Sequence, residues 1–108
     1  MKFVVVVTSE AQAGIRDSFL YIHERAPLNA ARWLKGLYAQ IDRLEKFPER
    51  CGFAREQPYL EEDLRQVVYK SHRVVFRIDK ARKTVWVLYV RHARRRALGE
   101  SAEASAQE

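Results

Sequence analysis

Cysteine occurs once, at Cys51, which excludes an internal disulfide, and nothing has the spacing of a zinc site. A reducing, cytoplasmic setting is expected. Glycine is scarce and forms no phosphate-cradling loop, and no Ser/His/Asp arrangement is recognisable, so nucleotide hydrolysis and acyl transfer have no local support. Long apolar runs are missing too. The longest near the start, Phe3 to Val7, falls far short of the ~20 residues that cross a bilayer, and no small-residue cleavage site follows it. The chain reads as neither exported nor membrane-spanning, and no metal or cofactor is expected.

What is present suffices for one domain: 108 residues, 47% apolar. Lys and Arg outnumber Asp and Glu by 20 to 14, a net charge of +6, and the excess peaks at Arg91, Arg94, Arg95 and Arg96. Such a balance suits nucleic acids or acidic proteins as partners, or a surface that merely keeps the chain soluble.

Lys2 to Val7 is β-branched and predicts a first strand. Ser9 with Gln12 predicts a capping box, opening a helix over about 10–24 on an Ile15, Phe19, Ile22 face. Pro27 suits the first turn of a second helix, whose stripe is Ala31, Leu34, Leu37, Ile41 and Leu44 up to Phe47 and Pro48. Trp33 and Tyr38 fall partly off that stripe, at a partner surface or at the core's edge. Residues 48–63 predict a long loop with a short helical turn, a mild pointer to function, and its acidic run Glu61, Glu62, Asp63 reads as solvated surface. Three β-rich runs follow, Arg65 to Lys70, Arg73 to Asp79 and Thr84 to Arg91. The expected fold class is therefore α+β: a two-layer sandwich in the order β-α-α-β-β-β, an αα-hairpin on one face of a mostly antiparallel sheet. The expected domain spans 1–98, and 99–108 reads as a disordered tail.

If Lys80 to Lys83 form a four-residue hairpin, Asp79 pairs with Thr84. Val74, Phe76, Ile78, Val85, Val87 and Tyr89 then share the core face. Arg73 and Arg77 share the open face with Trp86, Leu88, Val90 and His92. Guanidiniums beside aromatic rings can hold phosphates and stack bases, or be plain solvated surface. His92 reads either as a structural residue or as a general acid or base, and Glu56 as a base if its loop folds over the sheet. His23 and His72, the latter in a predicted tight turn, are assigned no chemistry.

Several blocks in order resemble the RelE/ParE toxin superfamily, and within it the ParE-like plasmid-stabilisation branch. They are Tyr21-Ile22 with Pro27 and Ala31; Leu44, Phe47, Pro48 and Gly52; the run Ser71 to Ile78; and the run Val85 to His92. The resemblance covers the chain to about Arg96. It implies a toxin neutralised by a cognate antitoxin, as a homodimer or a heterotetramer with it. ParE-like members inhibit DNA gyrase by binding, without catalytic residues. RelE-like members cut messenger RNA on the ribosome. For the first reading the target-binding candidates are Arg73, Arg77, Trp86, Arg91, His92, Arg94 and Arg95. For the second, Arg73 matches the phosphate-binding arginine and His92 a terminal-strand histidine, with Glu56 sharing proton transfer. Ala93, however, stands where that subgroup has a catalytic tyrosine, and the lysine pair of other nucleases has no clear counterpart. A chain that has lost toxicity and survives as a binding partner is the third reading.

Overall fold

The computed structural model describes residues 2–55 and 63–94. Four elements run β1 (Val4–Val7), α1 (Ser9–Arg25), α2 (Pro27–Asp42) and, after short 3₁₀ turns at Arg43–Glu45 and Pro48–Arg50, β2 (Leu64–Tyr69); β3 (His72–Asp79) and β4 (Thr84–His92) complete the fold. The sheet order is β1-β4-β3-β2. β2–β3 and β3–β4 are antiparallel, whereas β1 lies parallel to β4, so the α+β sandwich has a mixed sheet. The helical hairpin is the crossover that such a parallel pairing requires.

Helix α1 is capped one residue earlier than the sequence suggests. Thr8, extended at ψ 161, is the N-cap, and Ser9 is already helical. The Thr8 hydroxyl accepts from the Ala11 N–H at 3.2 Å and donates to the Val87 carbonyl at 2.8 Å. One side chain thus satisfies an orphan helix donor and fixes the helix start to β4. Gln12 reaches back to the Val7 carbonyl instead of the cap N–H. Pro27 opens α2 as expected. The buried stripe of α2 is Ala30, Trp33, Leu37 and Ile41, continued by Leu44, while Ala31 is exposed. Trp33 belongs to the core, and the stripe rotates to place its indole between the helices and the sheet. Tyr38 stays exposed.

The main core lies between hairpin and sheet, with Ile15, Leu37, Ile41 and Leu44 against Val74, Phe76, Ile78, Val85, Val87 and Val90. A smaller cluster of Ala54, Leu64 and Val75, flanked by Leu88 and Tyr89, sits on the opposite sheet face. Residues 52–54 run along the outer edge of β2: the Ala54 N–H donates to the Leu64 carbonyl at 2.9 Å and the Gln66 N–H to the Gly52 carbonyl at 3.0 Å. This covers part of an otherwise unpaired strand edge.

Helix α1 comes close enough to β4 that a Cβ at Gly14 would lie 2.8 Å from the Val90 carbonyl oxygen. Backbone, not a flexible side chain, is what it would meet. Gly14→Ala is expected to destabilise the fold by about 1–3 kcal/mol despite alanine's better helix propensity, read as a lower urea midpoint.

Candidate interaction face

Asp79 pairs with Thr84, and Arg77 lies opposite Trp86, as the hairpin length predicts. The register then slips: Val87 faces Phe76, but Tyr89 faces Val75. Two residues of β4 advance against one of β3, the geometry of a β-bulge, and every later side chain changes face. The sequence-based assignment beyond Val87 is corrected accordingly. Tyr89 joins the small cluster on the open face, whereas Val90 enters the main core. His92 turns with Val90 to the helix side.

The open face therefore carries Arg73, Arg77, Trp86 and Arg91, together with Gln66, Val75 and Tyr89. Arg73 is fully buried, and its Nη1 donates to Gln66 Oε1 at 3.0 Å. Arg91 is its direct cross-strand partner. The pairing brings two guanidiniums to one patch of the open face. The Arg77 guanidinium lies 5.7 Å from the Trp86 ring centroid, within cation–π range. Of the remaining candidates, Arg94 is exposed just past the strand, and its N–H donates to His92 Nδ1 at 3.1 Å. A neutral His92 consequently carries its proton on Nε2. Glu56 and Arg95 lie outside the described residues, as do Arg96, Glu61, Glu62 and the tail.

On the helix side, His92 meets a histidine to which sequence reasoning gave no role. His72 is not in a turn but opens β3, almost fully buried. Its Nδ1 is 3.2 Å from Ser71 Oγ and its Nε2 3.1 Å from Ser18 Oγ. The Trp33 ring packs edge-on at 5.1 Å and the His92 ring at 5.3 Å. His72, His92, Ser18 and Ser71, with Asp17, Tyr21 and Ile22, line a cleft of about 350 Å³. Nothing in the spacing of the sequence marks His72; its role comes from the helix that crosses it. Burial first, and the neighbouring His92 charge second, hold its pKa below the usual 6.5. The folded state therefore binds fewer protons than the unfolded chain as pH falls. The stability contribution is full above about 6.5 and is lost as pH drops through the folded value. Thermal melts between pH 7.5 and 5.5 should show a falling midpoint, and His72→Gln should flatten that dependence.

Among the described residues, no group of three or more His, Cys, Asp or Glu side chains is placed to hold a metal ion, and no helix is long and apolar enough to cross a membrane. Cys51 is half-buried, and burial pushes its thiol pKa up. That is the behaviour of an unreactive thiol.

An αα-hairpin over a four-stranded mixed sheet is a fold shared with two solved structures. The chromosomal ParDE toxin–antitoxin system from P. aeruginosa matches with a TM-score of 0.71 at 16% identity, covering 84% of this chain and 96% of that one. The RelBE2 toxin–antitoxin complex from Mycobacterium tuberculosis matches with a TM-score of 0.61 at 22% identity, covering 85% and 92%. At these identities the likeness shows the fold. Among curated proteins, none matches in sequence. The family itself is shown by sequence: residues 5–97 match the ParE toxin of type II toxin–antitoxin (parDE) systems, and the chain belongs to that family.

Proposed function

We propose that this chain is the toxin of a type II pair, that it inhibits DNA gyrase by binding rather than by chemistry, and that a cognate antitoxin neutralises it. The observation that carries the choice of binding over cleavage is the bulge in β4. It puts Arg73 and His92 on opposite faces of the sheet, so no imidazole stands beside the arginine that would hold a scissile phosphate. General acid–base catalysis needs both within hydrogen-bond reach of one reacting group. What remains on the open face is a cationic, aromatic surface of the kind that anchors partners. The family match over 5–97 supports the toxin and antitoxin parts of the reading, and the choice of gyrase follows from the resemblance to ParE-like chains.

Purified chain, freed of antitoxin, should block gyrase supercoiling or trap cleaved DNA. Supercoiling left unchanged at concentrations that arrest growth would overturn the reading. The resemblance of the Ser71 to Ile78 run to RNA-cutting members keeps a ribosome-dependent nuclease as the second reading, with Arg73 on phosphate. Primer extension on translated messages decides it: new cleavage sites on toxin expression would replace gyrase with messenger RNA as the target.

A further inference from the structure

At the end of the sheet remote from His92, three chain segments converge. The Phe3 N–H donates to the Glu45 carbonyl at 2.7 Å, the Val4 N–H donates to the Lys83 carbonyl at 2.8 Å, and Lys2 bridges to Lys46. Their side chains bring Lys2, Arg43, Lys46, Arg50, Arg82 and Lys83 to one pole, all exposed. Of the acids there, Glu49 pairs with Lys80 at 3.0 Å and Asp79 Oδ1 accepts the Arg82 N–H at 3.1 Å, while Asp42 and Glu45 also lie at this pole and leave it net cationic. Among the described residues, Lys2, Arg43, Lys46, Arg82 and Lys83 form no ion pair.

Phe47 stands in the middle of this field. It is 74% exposed, so packing does not account for a phenyl ring there. Its backbone is left-handed, φ 48 and ψ 55, a conformation that glycine adopts freely and a bulky residue ahead of a proline resists. Arg50 holds it in place, Nη1 donating to the carbonyls of Lys46 at 2.8 Å and Phe47 at 3.1 Å. Phe47 also forms one wall of a cup of about 440 Å³ whose other walls are Asp42, Arg43, Glu45, Lys46 and Arg50. No aliphatic or second aromatic residue lines it. The exposed surface of its walls is mostly carbon, so a ring can lie against it. A flat base flanked by phosphates would find a stacking face and cations together.

We infer that this pole is a binding site for single-stranded nucleic acid, with a base on the Phe47 ring and the backbone phosphates on Lys46, Lys83 and their neighbours. The site lies apart from the arginine face and stands whether or not gyrase is the target.

Fluorescence anisotropy of the full chain with a labelled oligothymidylate tests it, with duplex DNA and polyglutamate as comparators. Phe47→Gly relieves the left-handed backbone, so its melting temperature should hold or rise while the oligothymidylate Kd weakens about 5- to 150-fold, the value of one base stack. Lys46→Glu with Lys83→Glu should weaken it further and flatten the salt dependence by about 0.7 in log–log slope per lost phosphate contact. Equal affinity of the variants and the unaltered chain overturns the inference. So does preference for polyglutamate or duplex over the single strand, or binding that falls with Arg77→Gln and is untouched by Phe47→Gly.

Discussion

Phe76→Ala is expected to lower the free energy of unfolding by about 3–5 kcal/mol, the range for deleting a fully enclosed phenyl ring. Phe76 has no exposed surface, lies mid-way along β3 and is packed between β4 and the hairpin core. It also stands opposite Val87, at the last pair before the register slips. A void there removes contacts from both layers, and neighbouring side chains can close it only partly because the bulge fixes the strand beside it. Against a typical total of about 5–15 kcal/mol, such a loss is severe. Urea denaturation measures it directly. Val68→Ala, on an exposed position of the edge strand β2, should shift stability by less than about 0.5 kcal/mol. A Phe76→Ala cost no larger than that of Val68→Ala would contradict the packing described.

The second large effect concerns the proposed target. Arg77→Gln with Arg91→Gln is expected to weaken target engagement by about 2–4 kcal/mol, roughly 30- to 700-fold, the range for central arginine anchors. Growth arrest on induction should disappear with it. Both side chains are half-buried on the open face, Arg77 against the Trp86 indole and Arg91 opposite Arg73. Circular dichroism of the variant should stay that of the unaltered chain, which separates lost binding from lost folding. His92→Ala, on the other side of the sheet, should leave growth arrest in place. Arrest that survives the double arginine change and fails with His92→Ala would reverse the assignment of faces to function.

Much of the fold is legible in the sequence because its signals are local. β-branched runs mark all four strands, Pro27 marks the start of α2, and the short Lys80 to Lys83 connection pairs Asp79 with Thr84. Where the reading fails, the deciding contact is distant. Thr8 rather than Ser9 caps α1 because Thr8 also has a β4 carbonyl to bind. Trp33 joins the core because the sheet offers it the His72 ring. The bulge leaves no mark in the pattern, since Val85 to Val90 is an unbroken apolar run with no alternation to interrupt. Yet that one extra residue moves His92 away from Arg73 and so separates the two residues on which a nuclease reading depends. His72 escapes notice for the same reason: Ser18, its Nε2 partner, is 54 positions away.

The parallel pairing of β1 with β4 also sets a sequence of events. The first strand has its sheet partner at the end of the fold, and the Thr8 hydroxyl binds a carbonyl 79 residues further on. Contacts of such long range slow folding, because the intervening chain must be ordered before they form. During synthesis, β1 and the hairpin emerge with no sheet to close upon, and the arginine face cannot exist until β3 and β4 have been made. If the arginine face carries the proposed activity, a nascent chain lacks that activity until β4 has been translated.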